Sequence, residues 1–247
     1  MTAAVPHPEP PAAARFGRLD ALRGAAMVWM AGYHFAFDLR QFGYTRQNFY
    51  ADPFWTLQRV GIVSLFLLCA GAGQAIAIER GQRWAAFWRR WAQIAACALA
   101  VTAASYVMYP RSFITFGVLH GIAVMLVLTR LASGLGNGLW PLGLVAIVLP
   151  QVFGHPVFDT RATDWVGLVT RKPVTEDYVP LLPWLGVMLW GAAVGAWALR
   201  QRPHRLAGAL PGALGTLATF GRWPLTFYML HQPVMIGVLM LLQRLRA

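Results

Sequence analysis

Long apolar stretches, separated by short charged segments, dominate the pattern of the chain. Stretches without Asp, Glu, Lys or Arg cover residues 60–78, 91–110, 112–129, 131–158, 178–199 and 223–243. A transmembrane helix needs about 20 mostly apolar residues. The pattern therefore predicts spans at 57–78, 91–109, 112–131, 137–154, 180–200 and 223–243. The stretch 206–221 is shorter and rich in glycine, which indicates a re-entrant or interfacial segment.

A further span is predicted on the N-terminal side of these six, although charged residues flank it. Residues 24–37 lack charged side chains, and a helix that crosses the membrane there must reach from Arg23 to about Asp38. The predicted fold is therefore all-α, a polytopic transmembrane bundle of about seven spans in one domain, 15–247. Residues 1–14 contain four prolines and are predicted to be a disordered tail.

Composition supports a membrane protein. Apolar residues make up 57% of the chain and charged residues 12%, against about 25% charged residues in soluble domains. The net charge of +12 would suggest nucleic acid in a soluble protein. Here the basic residues stand between apolar stretches, so lipid is the expected partner and nucleic acid is not.

Arginine clusters at 80–90 and 200–205 set the expected orientation. Because basic loops stay in the cytoplasm, we predict a multi-pass inner-membrane protein with a cytoplasmic N-terminus. Residues 155–179 then form the longest outer loop, which holds Asp159, Asp164, Glu176 and Asp177. The acids of its segment RKPVTEDY, Glu176 and Asp177, could meet a hydroxyl- or amine-bearing acceptor, and the alternative is a solvated loop with an aromatic anchor at Trp184.

The first predicted helix carries polar residues on one face. At about 100° per residue, Asp20, Arg23, His34 and Asp38 fall on one narrow stripe. His34 and Asp38 are i,i+4 neighbours, close enough for imidazole and carboxylate to interact. Ionisable groups within a span normally face the bundle interior, so the stripe favours a site. The alternative is that Arg23 and Asp38 only mark the helix ends.

Two other histidines lie within predicted spans. His120 stands in FGVLHGIAVML, and His231 stands in LTFYMLHQPVMIG, followed by Gln232 and Pro233. Each alone is more typical of a hydrogen bond between helices, but three histidines in one small bundle favour a shared polar cavity. No His-x-x-x-His or Cys-x-x-Cys pair occurs, so no metal site is predicted.

Several segments together resemble a known family. RLDALRGAAMVWMAGYHFAFDL resembles the opening helix of the bacterial heparan-α-glucosaminide N-acetyltransferase-like family, and FGVLHGIA, DYVPLLPWLGV and TFYMLHQPV resemble it at matching places. The spacing of Arg23 and His34 also resembles the Arg-x10-His signature of membrane acyltransferases that acetylate surface polysaccharides. One departure is that QFGYTRQNFY, after this helix, lacks the histidine of the animal enzymes.

The resemblance implies acetyl transfer from cytoplasmic acetyl-CoA to a sugar amine or hydroxyl across the membrane. His34 would then be the catalytic base, Asp38 would orient it, and His120 or His231 would hold substrate or the oxyanion. Arg23, with Asp20 beside it, would bind the CoA phosphates. A proton-coupled transporter that uses the same intramembrane Asp and His residues remains the alternative. The sequence leaves open the acceptor, N- or O-acylation, an acyl-histidine intermediate and the oligomeric state.

Overall fold

The structure, a computed structural model, describes residues 16–202 and 210–245, and within these ranges it contains helices and no strand. The α-helices are α1 Gly17–Gln41, α2 Pro53–Glu79, α3 Trp84–Met108, α4 Val118–Ala132, α5 Leu139–Val152, α6 Leu181–Gln201, α7 Gly212–Phe220 and α8 Pro224–Arg244. The predicted all-α bundle is confirmed. The predicted tail, 1–14, lies outside the described residues.

Five stretches of the described chain are long and apolar enough to cross a membrane. They are α2, α3, the run Val118–Val152, α6 and α8. The run Val118–Val152 reverses at Gly136, where φ is 52°. After the reversal α5 lies antiparallel to α6, with Trp190 Nε1 donating to Trp140 O at 3.1 Å. The run therefore makes two passes, and with α1 the bundle has about seven, as predicted.

The bundle has two distinct ends. We call the end at which α1 begins the near end, and the opposite end the far end. Helices α1, α3, α5 and α8 run from near to far, and α2, α4 and α6 run back. The predicted arginine clusters share the near end, where Arg80 and Arg83 flank the α2–α3 turn and Arg200 lies in the last turn of α6. Arg200 Nε donates to Glu79 there at 3.1 Å.

Helix α1 packs against α2, α7 and α8 on one side and exposes apolar residues such as Val28 and Phe35 on the other. Its polar stripe is partly or fully buried, which limits contact with lipid, a medium that cannot hydrogen-bond to it. Helix α7 spans only nine residues, too short to cross a membrane, and it packs against the start of α1. Contact is close, because a Cβ atom on Gly221 would lie 1.9 Å from Asp20 O.

The core forms where α2 and α6 cross. Leu67 and Met188 are fully buried there, together with Met125 of α4. Glycines let the two backbones meet, as is typical of membrane bundles, where small residues replace hydrophobic driving force. A Cβ atom on Gly191 would lie 2.4 Å from Leu68 O, and one on Gly71 would lie 2.0 Å from Met188 O.

The predicted span at 112–131 was wrong at its start, because α4 begins at Val118. The preceding segment is a loop held by hydroxyl groups: Ser105 Oγ accepts from Ile114 N at 3.0 Å, and Thr102 Oγ1 donates to Ile114 O at 2.8 Å. A count of charged residues overlooks such loops because Ser and Thr are uncharged.

We expect Gly191→Ala to lower the melting temperature of the purified protein in detergent. The added methyl group must push α2 and α6 apart, and overpacking of this kind costs about 1–3 kcal/mol. Gly237→Ala on α8 is the matched control, since nothing lies within 4 Å of its Cβ position. The control should melt at or slightly above the wild-type temperature, because alanine favours helix over glycine. Equal melting temperatures for the two variants would contradict this account of the core.

Candidate active site

Two of the predicted histidines meet where α1 and α8 run side by side. The ring centroids of His34 and His231 are 5.2 Å apart. Tyr33 lies edge-on to His34 at 5.8 Å, and Phe227 stacks on His231 at 5.4 Å. The sequence placed both histidines within spans, and the structure makes them one pair, which we call the histidine pair.

The ring of His231 is fixed by the backbone of its own helix. His231 Nδ1 lies 2.8 Å from Tyr228 O and 3.2 Å from Phe227 O. Carbonyl oxygens only accept, so Nδ1 carries the hydrogen and Nε2 carries a lone pair. His231 is 8% exposed, and Nε2 is buried without a hydrogen-bond partner among the described residues. The lone pair of this nitrogen is therefore not engaged by any described residue.

Asp38 is bonded across the helix interface. Its Oδ1 accepts from Gln232 Nε2 at 2.9 Å, and the carboxylate is 3% exposed. The expected hydrogen bond between Asp38 and His34 is absent from the described structure. Asp38 thus bonds to Gln232, the residue that follows His231 in α8, and not to either ring of the histidine pair. Sequence reasoning missed Gln232 as a partner because periodicity does not show which helices are neighbours.

His120 lies apart from the histidine pair and caps the start of α4. Its Nδ1 accepts from Gly117 N at 3.3 Å, and its Nε2 lies 3.1 Å from Thr102 Oγ1. Since Thr102 already donates to Ile114 O, Nε2 of His120 is the donor in that contact. Both ring nitrogens are engaged locally, so the structure does not bring His120 into the predicted shared cavity.

Part of the long far-end loop between α5 and α6 packs over the start of α4. Residues 173–180, which we call the strap, pair with residues 112–116, with Glu176 N donating to Ser112 O at 2.9 Å. Asp177 Oδ2 accepts from Val118 N at 2.7 Å and so caps α4. Gly117 is needed at this contact, because a Cβ atom there would lie 2.3 Å from Asp177 Oδ2.

The strap approaches Tyr228, a neighbour of the histidine pair on α8. Asp177 lies within electrostatic range of Tyr228, whose ring is 5.7 Å from that of His231. Burial raises the pKa of the Asp177 carboxyl, and the nearby Arg59 and Lys172 partly oppose this rise. Burial also lowers the pKa of Lys172. Sequence reasoning counted Asp177 only as one acid of a loop.

At the near end, Arg23 is already paired with a carboxylate. Its Nη1 lies 2.8 Å from Asp20 Oδ1, and both side chains are mostly buried. The pair faces α2, since a Cβ atom on Gly73 would lie 3.3 Å from Arg23 Nη2. Helix α1 is continuous from Arg23 to His34, which separates them by about 16 Å along its axis.

A cavity of about 480 Å³ opens beside this pair, between α3 and the start of α8. We call it the near-end cavity. Arg90, Gln93, Arg222, Trp223 and Thr226 contribute to its lining. Arg23 lies within electrostatic range of Arg90, and neither Arg90 nor Arg222 is paired with a carboxylate of residues 16–202 or 210–245. Sequence reasoning missed these two cations, although each stands next to a charge-free stretch.

A comparison with protein families matches the chain from the start of α1 into α8. The family model for heparan-α-glucosaminide N-acetyltransferase, catalytic, matches residues 15–233. The chain belongs to this family. No curated protein and no solved structure matches the chain.

Membership of the heparan-α-glucosaminide N-acetyltransferase family indicates a membrane acetyltransferase. The matched region contains the histidine pair, Asp38, the strap and the residues of the near-end cavity. Within the described part of the chain, no three His, Cys, Asp or Glu side chains are grouped to hold a metal ion.

We expect Gly117→Ala to release the strap. The new methyl group and the Asp177 carboxylate cannot both occupy their places, so the bond to Val118 N is lost, and a lost cap costs about 0.5–2 kcal/mol. Trypsin should then cleave more rapidly after the exposed Arg171. Gly134→Ala, whose Cβ position has nothing within 4 Å, is the control. Unchanged cleavage in Gly117→Ala would show that the strap does not depend on this contact.

Proposed function

We propose that the chain transfers an acetyl group from acetyl-CoA to an amine or hydroxyl of a sugar on the opposite side of the membrane. The observation that carries the proposal is the histidine pair, in which the buried His231 meets the partly buried His34 between a basic near-end cavity and a polar far end. A site between the two ends suits a donor and an acceptor that occupy different compartments.

The near end is proposed to lie on the cytoplasmic side of the inner membrane. Arg80, Arg83, Arg130 and Arg200 all belong to this end, which fits the excess of basic residues in cytoplasmic loops. Acetyl-CoA is a cytoplasmic metabolite with several phosphates, so it would approach the end where these cations are concentrated.

The near-end cavity is proposed to hold the phosphates of acetyl-CoA. Arg90 and Arg222 present guanidinium groups, which bind phosphate through paired hydrogen bonds. Trp223 is 68% exposed and offers an aromatic face to the adenine. Arg23, already paired with Asp20, contributes mainly positive potential. From Pro224 at the cavity to His231 the rise along α8 is about 10 Å, so the thioester arm would extend towards the histidine pair.

The proposed chemistry assigns the proton transfer to His231. As the acceptor nitrogen or oxygen attacks the thioester carbonyl, His231 Nε2 takes its proton. The new C–N or C–O bond forms, and the carbonyl oxygen becomes an oxyanion to which His34 can donate a hydrogen bond. Collapse of this intermediate breaks the C–S bond, and the proton passes from His231 to the CoA sulfur.

Asp38 and Gln232 are positioning residues in this proposal. Their hydrogen bond fixes α8 against α1, and thereby the separation of the two imidazole rings. The closed bundle also excludes water, which would otherwise hydrolyse the thioester.

We expect His231→Gln to reduce kcat by about 10²–10⁴-fold, the usual contribution of a general base. His34→Gln should also reduce kcat, and the double variant should be no slower than the slower single variant, because members of one catalytic unit are not additive. The measurement is acceptor-dependent release of CoA by purified protein, with monodispersity in detergent as the folding check.

His120→Gln is the matched control for this experiment. Because His120 caps α4, its replacement should lower the melting temperature more than the rate. A folded His231→Gln variant that retains more than about a tenth of the wild-type rate would exclude His231 as the base, since even weak general-base catalysis exceeds that loss.

We expect Arg222→Gln and Arg90→Gln to raise the KM for acetyl-CoA by about three- to tenfold, as loss of a charge-assisted hydrogen bond does. The kcat should change little, because these groups act far from the reacting atoms. Arg202→Gln, an exposed near-end residue that does not line the cavity, should leave both constants unchanged. An unchanged KM with a collapsed kcat would contradict a role in binding the donor.

A further inference from the structure

A second cavity lies at the far end of the bundle, where the start of the strap, Pro173 to Thr175, forms part of its wall. It has a volume of about 230 Å³, and its lining includes Arg111, Phe113, Thr115, Arg161 and Asp164. We call it the far-end cavity. The proposed mechanism does not use it, and it faces the side from which an acceptor would approach.

Asp164 is the unexplained group in this cavity. The residue is 3% exposed, and its Oδ1 has no hydrogen-bond partner among the described residues. Its backbone is held firmly, with Tyr178 Oη donating to Asp164 O at 2.7 Å. Burial raises the pKa of the Asp164 carboxyl. A buried acceptor without a donor is costly, and a ligand with a hydroxyl group would supply that donor.

Two arginines supply donors beside this acceptor. The Arg161 guanidinium lies over the Phe113 ring, 4.8 Å from its centroid, and its Nη2 contacts Arg111 O at 3.5 Å. The guanidinium of Arg111 makes no hydrogen bond or ion pair with a residue of 16–202 or 210–245. Thr115 adds a hydroxyl group to the same lining.

We propose that the far-end cavity binds one sugar ring through its hydroxyl groups. A sugar offers both donors and acceptors around a compact ring, which matches a lining that combines the carboxylate of Asp164 with Arg111 and Arg161. The volume is below the 300 Å³ or more that is typical of sites for larger ligands, so the cavity suits a single ring. A simple anion fits less well, because Asp159 and Asp164 also line the cavity.

This inference deepens the proposed function and rests on it in one respect. The bound ring would belong to the acceptor glycan, held beyond the sugar that receives the acetyl group. The cavity would then select glycans of two or more sugars, because a monosaccharide cannot occupy both the cavity and the histidine pair.

The test is binding of methyl glucoside and methyl N-acetylglucosaminide to the protein in nanodiscs, measured by saturation-transfer NMR without acetyl-CoA. We expect saturable binding with a Kd of roughly millimolar, typical of a few hydrogen bonds. Asp164→Leu and Arg111→Gln should weaken it at least about tenfold. Arg46→Gln, an exposed arginine in the other far-end loop, is the control and should bind as wild type does.

Binding and transfer can fail separately in this design. His231→Gln should lose turnover but keep sugar binding, which shows that the signal does not come from the histidine pair. Arg111→Gln should raise the KM for a disaccharide acceptor but leave the KM for acetyl-CoA unchanged. No saturable binding to the wild type would overturn the inference. Wild-type affinity in Arg111→Gln would also overturn it, because Arg111 is exposed and its guanidinium bonds to no described residue, so this replacement should not disturb the fold.

Discussion

The hydrogen bond from Gln232 to Asp38 determines how α8 lies against α1. Both groups lie in the bundle, where an amide or a carboxylate has no water to bond, and this bond is the one that each makes among the described residues, since Asp38 Oδ2 and Gln232 Oε1 are buried without a partner. The bond at 2.9 Å therefore fixes the rotation and register of α8. Because His231 precedes Gln232 in the chain, the same bond brings its ring to within 5.2 Å of His34. One polar contact between helices thus assembles two residues that lie far apart in sequence.

Periodicity predicted one half of this arrangement and could not predict the other. The stripe of Asp20, Arg23, His34 and Asp38 follows from the helix repeat alone, since all four residues share one helix. The pairing of Asp38 with Gln232 depends on which helices are neighbours, and no internal pattern of α1 or α8 encodes that. His120 shows the same limit, because its partners Gly117 and Thr102 become visible only when the α3–α4 loop is folded.

Charge predicted the ends of α6 and α8 well but misplaced the start of α3, which begins at Trp84, before the predicted span 91–109, with Arg89 and Arg90 inside the helix. Helices α6 and α8 end within one or two residues of their predicted limits because Arg200 and Arg244 stand there. The start of α4 was missed since Ser105 and Thr102 hold the preceding loop inside an uncharged stretch. Arg90 and Arg222 were not predicted as site residues, because a charged residue next to a span is ordinarily a snorkelling side chain. Only the cavity between α3 and α8 shows that the two side chains converge.

In the proposed function, the distribution of charge along the bundle would let a single site serve two compartments. The near-end cavity is lined by cations without carboxylate partners, Arg90 and Arg222, whereas the far-end cavity combines cations with the carboxylates Asp159 and Asp164 and with hydroxyl groups. A polyanionic donor is therefore favoured at one end, and a neutral, hydroxyl-rich acceptor at the other. The groups that react carry no net charge when they meet at the histidine pair: a thioester, an amine or hydroxyl, and a neutral imidazole. Since the desolvation cost of burying ions is large, a membrane interior suits the proposed reaction only if the phosphates of the donor stay at the near end, where Arg90 and Arg222 line the cavity.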